Sequence, residues 1–336
     1  MDSSRTALAA SAGGGVDAET AGLLSRLNAM LAAPAPSGLS EIAAARARAS
    51  EIFTALAGPV EGEQTTQSDI AAKDSSCGVP MRIYRRTAPD AAPPPIVIFF
   101  HGGGWSLGTL DDYDALLRTL AGLCGAIFAS IDYRLAPEHP FPAGLDDAFA
   151  AVSSIASEAL SLGGDPKRIA LMGDSAGGNL AAVVAQQAGS IAGLSIRAQF
   201  LLYPMLDLSR PHTAYPSRLK FGDGDFFLTR DAIDASLLGY LGNADLANDP
   251  RVSPINAADV GALPETHIFV GGLDPLRDEA AAYARKLAAA GVDVALREFP
   301  GAIHAFLSFG ALESGRRARR MLAADIANAF NDRRKP

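Results

Sequence analysis

Short, continuous apolar runs alternate with longer stretches of helical spacing through most of the chain. Ile96-Val97-Ile98-Phe99-Phe100 is the clearest such run, with no polar position in it, as expected of a strand covered on both faces. A second apolar run covers 126–131, and a helical pattern over 113–123 separates the two. The alternation goes on with a helix over 144–159, a strand over 168–172, a helix over 179–188 and a strand over 198–203. Strand, helix, strand is the unit of a parallel sheet, because a parallel partner is reached only through a crossover. Upstream, Met81-Arg82-Ile83-Tyr84 alternates apolar and polar and predicts a half-solvated edge strand.

Two stretches break the rhythm. Ahead of the first strand, Leu23, Leu24, Leu27, Met30 and Leu31 recur at helical spacing until Pro34 and Pro36 end the pattern, and a second helix is predicted over 40–56. Helices in that place begin no sheet, so they are expected to pack over something built later. From 205 to 261 no strand is evident, although Phe226-Phe227 and a helical stretch over 229–241 stand there. An insertion of that length in a regular α/β chain is more often functional than not. The pattern resumes with a strand at 268–270, a helix over 279–290, a strand over 292–299 and a last helix over 315–331.

Composition narrows the class. Hydrophobic residues make up 49% of the 336 and charged residues 20%, enough apolar material for a large core. The net charge of −8 argues against a nucleic-acid partner, whose phosphates call for clustered Lys and Arg. Arg316, Arg317, Arg319 and Arg320 form the one basic cluster and read as a solvated helix face. Two cysteines, Cys77 and Cys124, are too few for a disulfide framework and lack zinc-site spacing, so neither metal nor cofactor is expected. No apolar run approaches the roughly 20 residues of a membrane span. Residues 1–15 have no basic start followed by an apolar run, which suggests a flexible tail and a cytoplasmic protein.

Chemistry enters at Gly173-Asp174-Ser175-Ala176-Gly177. The pattern G-x-S-x-G is weak alone, but here a buried strand precedes it and a helix follows, the setting of a nucleophile elbow. A serine on that sharp turn projects its hydroxyl above the sheet, and small neighbours tolerate the strained backbone. The hydroxyl needs a base to take its proton, and the base needs an orienting acid. In chains with such an elbow the order is Ser, acid, His. Of the five histidines, His267 starts a strand, whereas His304 follows the 292–299 strand through a short turn, at the carboxyl end where sites gather. Asp274 follows the 268–270 strand in the same way, while Asp278 and Glu279 fall in the first turn of a helix, where acids complement the dipole. Ser175, Asp274 and His304 are therefore the candidate nucleophile, acid and base.

His101-Gly102-Gly103-Gly104-Trp105 directly follows the strand that ends at Phe100. Consecutive glycines there let backbone N–H groups turn toward a ligand, so Gly103 and Gly104, with Ala176, are assigned as oxyanion donors. His101 reads as a structural hydrogen-bonder and Asp174 as a brace of the elbow. Trp105, Asp174, Tyr203, Phe226 and Phe227 are the expected pocket residues; Phe221, Phe226 and Phe227 fit the core of a cap equally well.

Together with Asp132-Tyr133-Arg134-Leu135-Ala136-Pro137-Glu138, Phe141-Pro142-Ala143 and Asp274-Pro275-Leu276-Arg277-Asp278-Glu279, these motifs make the chain resemble the hormone-sensitive lipase family of esterases, the bacterial family IV type. The resemblance runs from about residue 96 to the C-terminus. It implies an α/β-hydrolase fold, a mostly parallel eight-stranded sheet under a helical cap, and metal-free hydrolysis of short- to medium-chain acyl esters. The implied division is a tail at 1–15, N-terminal cap helices at 16–60, a catalytic domain from 61–204 and 262–336, and a cap insertion at 205–261. A small-molecule ester is the implied partner, and a homodimer the assembly common among relatives. Tyr113 departs from the family, standing where many relatives carry a histidine. Two other readings stand beside it: an amidase or specialised deacylase with the same machinery, and a non-catalytic ligand receptor of the same fold. The joint presence of Ser175, Asp274 and His304 argues against the receptor.

Overall fold

The computed structural model describes the chain except residues 1–6, 9–14, 35–37, 73–77, 89–91, 192, 243 and 332–336. Most of the tail expected over 1–15 lies outside the described residues; within it Ala7–Leu8 forms a two-residue strand, β1.

Where the sequence is uniformly apolar, the strands are buried on both faces. Ile96–Phe100 (β4), Ile127–Ile131 (β5) and Ile169–Asp174 (β6) have no exposed residue. Thr65–Ala71 (β2), Pro80–Arg86 (β3), Ile196–Leu202 (β7), Glu265–Gly271 (β8) and Val294–Phe299 (β9) complete one twisted sheet in the order β1-β9-β8-β7-β6-β4-β5-β3-β2. β2 and β3 pair antiparallel, as do β3 and β5, and every other pair is parallel. The alternation at Met81–Tyr84 thus belongs to an inner strand rather than the expected edge. The outer strand is β2, Thr-Thr-Gln-Ser-Asp-Ile-Ala, whose polar run gave no periodic signal because it is mostly solvated, with only Thr65 buried and Ile70 packed partly on the core.

Alternate residues of β4 feed two cores. Ile96, Ile98 and Phe100 pack with Ala143–Glu158 (α4), Ala176–Gln186 (α5) and Arg277–Ala289 (α8), through Val152, Leu180 and Tyr283 among others. Val97 and Phe99 pack on the opposite side with Asp114–Cys124 (α3) and Glu313–Asn331 (α9), through Leu117, Leu120, Leu322 and Ile326. Period-two pleating makes this division unavoidable for an all-apolar strand.

The two early helices, Ala18–Ala32 (α1) and Glu41–Leu56 (α2), start at side-chain caps, Asp17 and Ser40. They lie across loops at one rim of the sheet: Thr20 Oγ1 donates to the Gly301 carbonyl at 2.8 Å, and Ser50 Oγ to Asp112 at 2.5 Å. The 205–261 segment contributes two further helices, Pro216–Phe221 (α6) and Arg230–Leu241 (α7). Its base is fixed by a buried ion pair between Arg218 and Glu279; Glu279 Oε1 also accepts the Leu206 N–H at 2.7 Å. Burial pushes the Glu279 carboxyl up to about 6 while Arg218 opposes the shift. Removing one member of such a pair strands the other charge at a cost of about 3–5 kcal/mol.

The basic cluster of α9 is divided. Arg316 and Arg320 meet Glu61 and Glu313 at the surface, as a solvated face should. Arg319 instead is buried and donates to the carbonyls of Leu307 (2.7 Å) and Ser308 (2.8 Å), which corrects the reading of all four as solvated. Its helix position turns inward onto the 307–310 loop, where its guanidinium provides partners for the loop backbone.

Candidate active site

β6 ends at Asp174, and the next residue reverses the chain into α5. Ser175 takes φ 52° and ψ −117°, a left-handed conformation that costs on the order of 1–3 kcal/mol for a non-glycine residue and persists only where packing enforces it. Packing here is extreme: a Cβ added at Gly177 would strike the carbonyl of Phe100, so α5 reaches β4 only because position 177 has no side chain. The Ser175 N–H donates to the Leu202 carbonyl at 2.8 Å, and its carbonyl accepts from Met205 at 3.1 Å. These contacts aim the hydroxyl over the carboxyl ends of the strands.

His304 comes to the same point from the loop after β9. Its Nε2 lies 3.0 Å from Ser175 Oγ and its Nδ1 2.8 Å from Asp274 Oδ2. Asp274 is fully buried and turned by the Leu276 N–H, which reaches its other oxygen at 2.8 Å. The loop that carries His304 is the one whose carbonyls Arg319 holds. Ser175, His304 and Asp274 thus form one continuous line of hydrogen bonds, assembled from three strand ends.

Gly103 (φ 110°) and Gly104 (φ 58°) face the hydroxyl across a cavity, and both conformations favour glycine. Neither backbone N–H has an acceptor among the described residues, and Ala176, the first residue of α5, has no intrahelical one. Three N–H groups are therefore free near the hydroxyl. Just before them, the Gly102 N–H is held by Asp174 Oδ1 at 2.6 Å, and Tyr113 Oη donates to Asp174 Oδ2 at 3.2 Å. Asp174 accordingly ties the glycine loop to the elbow. Burial pushes its carboxyl up to about 7, against the lowering effect of the Gly102 N–H and of His304. Tyr113, flagged by its departure from the family pattern, supplies the second hydrogen bond of this brace. His101 is fully buried, stacked on Tyr133 at 4.4 Å, with Nδ1 2.8 Å from the Gly102 carbonyl; burial lowers its pKa, which favours the neutral ring.

The cavity has a volume of about 330 Å³, with Asp174, Ser175 and His304 at its polar end. Ile52 and Phe53 of α2 form one wall, and Phe227, Leu228 and Ala232 of the 205–261 segment another. Of the expected pocket residues, Asp174 and Phe227 line it and three do not. Trp105 turns under the glycine loop at φ 57° and stacks on Tyr240. Tyr203, also left-handed at φ 37°, lies beneath the His304 ring. Phe226 meets Phe221 edge-on at 5.2 Å inside the inserted segment. Each is an aromatic whose apolar surface packs against another ring instead of lining the cavity. Arg319 and Tyr240 carried no local signal, since their contacts depend on distant elements.

Among the described residues no group of His, Cys, Asp and Glu is arranged to hold a metal ion, and no helix is long and apolar enough to cross a membrane.

Residues 97–308 match the family model described as alpha/beta hydrolase fold. The carboxylesterase NlhH of Mycobacterium tuberculosis is 43% identical over 242 residues, 70% of this chain and 73% of that protein. In the solved structures, an ester hydrolase from the metagenome of Lake Arreo, complexed with a bipyridine phosphonate derivative, superposes with a TM-score of 0.84 at 36% identity, covering 94% of this chain and 99% of that one. An esterase of Pyrobaculum calidifontis gives 0.81 at 34% identity, with 94% and 99% covered. The chain belongs to the hormone-sensitive-lipase-like, family IV esterases of the alpha/beta-hydrolase superfamily, and is an enzyme of the serine-hydrolase type.

Proposed function

We propose that the protein hydrolyses small carboxylic esters of short to medium acyl chain through an acyl-enzyme on Ser175. One observation carries the reading: a single imidazole, His304, bridges the Ser175 hydroxyl at 3.0 Å and the Asp274 carboxylate at 2.8 Å. Ser175 Oγ attacks the ester carbonyl as its proton passes to His304 Nε2. Asp274 accepts from Nδ1, fixing the tautomer and favouring the imidazolium that forms. The carbonyl electrons move to oxygen, and the N–H groups of Gly103, Gly104 and Ala176 receive that charge. Loss of one such donor typically costs about 2.7–4 kcal/mol of transition-state stabilisation. His304 then protonates the departing alcohol as the C–O bond breaks. Water, deprotonated by His304, releases the acid and regenerates the hydroxyl.

The helices of 16–60 and the insertion at 205–261 act as the cap of this site, since α2 and the segment around Phe227 wall the cavity opposite the triad. A volume of about 330 Å³ sits at the low end of the range for small-molecule sites, roughly 300–1,000 Å³, and favours soluble esters over long triglycerides. Replacing Ser175 by Ala should abolish hydrolysis of p-nitrophenyl butyrate while leaving thermal unfolding unchanged. Retained turnover in that variant rules the mechanism out.

A further inference from the structure

The glycine loop is gripped from outside, by both halves of the cap. Trp105, the residue after Gly104, is buried, and its indole lies face to face with the ring of Tyr240 on α7, centroids 4.3 Å apart and planes 5° from parallel. Tyr240 is fixed in turn: Phe141 meets it edge-on at 5.6 Å, and its carbonyl accepts the Phe141 N–H at 2.7 Å. One turn earlier on α7, Ser236 stands so close to Gly104 that a Cβ there would collide with its hydroxyl.

On the other flank, Arg46 of α2 donates from Nε to the Ser106 carbonyl at 2.8 Å and from a terminal nitrogen to the Ala136 carbonyl at 3.1 Å, while its fork binds Glu138 at 2.6 and 2.8 Å. The Ala136 N–H closes the circuit by donating to the Trp105 carbonyl at 2.9 Å. Three consecutive residues, Gly103, Gly104 and Trp105, are left-handed. A loop in that state stays there only when its surroundings over-determine it.

Resting on the proposed ester hydrolysis, we infer that Tyr240 and Arg46 are positioning residues for the oxyanion donors, so that cap helices α7 and α2 set the geometry of the catalytic loop as well as the walls of the pocket. Neither side chain lines the cavity. Their effect reaches the substrate through the backbone of Gly103 and Gly104, which stabilises charge present in the transition state and absent from the bound ester. An interaction of that kind appears in kcat and leaves KM nearly unchanged, whereas a cap that merely walls the pocket would act on KM.

The test compares wild type, Tyr240→Leu, Tyr240→Phe and Arg46→Gln on p-nitrophenyl butyrate, with thermal unfolding to verify that each is folded. The phenol Oη of Tyr240 has no hydrogen-bond partner among the described residues, so Tyr240→Phe keeps the stack and should keep wild-type kcat. Tyr240→Leu should lower kcat by about tenfold to a hundredfold with KM within about threefold. Arg46→Gln, at a partly exposed position, should lower kcat by about tenfold in the same way, and it decides the matter if Tyr240→Leu does not fold. Wild-type kcat in a folded Tyr240→Leu or Arg46→Gln protein, or a loss confined to KM, overturns the inference. Wild-type turnover that survives Ser175→Ala would instead overturn the underlying mechanism, so the two failures are distinct.

Discussion

The ring of Tyr203 meets the His304 imidazole edge-on, with centroids 4.9 Å apart and planes at 64°. Tyr203 is fully buried, with its backbone N–H on the Phe269 carbonyl at 2.6 Å, so it forms a rigid floor that stops the imidazole from rotating away from Ser175. Removing that floor should loosen His304, the proposed base, and open a void. Truncating a buried aromatic to Ala costs about 3–5 kcal/mol. Tyr203→Ala is thus expected to lower both the unfolding midpoint and kcat, while Tyr203→Phe, which gives up one long contact of 3.4 Å to Ser308 Oγ, should stay near wild type in both. Urea unfolding and steady-state kinetics on the pair check this, and equal kcat in the Ala and Phe variants would remove Tyr203 from the account.

Asp174 gives a pH signature. With its carboxyl raised from 3.8 to about 7, the folded protein keeps a proton that the unfolded chain releases between those values. The stabilisation is complete below about 4 and is lost as pH rises through about 7, an effect of a few kcal/mol at most. Asp174→Asn can still accept the Gly102 N–H and has no such proton to lose. The difference in urea midpoint between pH 5 and pH 8 should therefore shrink in the variant. An unchanged difference would mean that Asp174 titrates normally despite its burial.

Chain-length preference should be controlled from α2. Ala49 faces the cavity next to Phe53, so Ala49→Phe fills space that a longer acyl or alkoxy chain would use. Since each methylene in an apolar pocket is worth about 1–3 kcal/mol, the ratio of kcat/KM for p-nitrophenyl hexanoate over acetate should fall at least tenfold. A series from acetate to decanoate measures it, and an unaltered ratio would place the chain elsewhere.

The sheet and the residues of the hydrogen-bonded line Ser175–His304–Asp274 were legible because their signals are local. An apolar run such as 96–100 reads as a buried strand without knowledge of its neighbours, and the serine elbow, the glycine loop and the strand-end positions of Asp274 and His304 each declare themselves within a few residues. The parts that escaped depend on distant partners. β2 went unseen because a solvated outer strand needs no hydrophobic period. Trp105, Tyr203 and Phe226 were placed in the pocket on residue type, but an aromatic satisfies its surface equally well against another ring, and Tyr240, His304 and Phe221 provide those rings. Arg319 looked like its solvated neighbours, although the 3.6-residue period turned it inward while Arg316 and Arg320 stayed at the surface.

Activation of Ser175 as the proposed nucleophile is read directly by a covalent probe. Incubating the full chain with a fluorophosphonate, followed by mass spectrometry of its peptides, should find the phosphonyl adduct on Ser175, no adduct in Ser175→Ala, and labelling slowed by about a thousandfold or more in His304→Ala. An adduct on another residue, or undiminished labelling without the imidazole, would contradict the account.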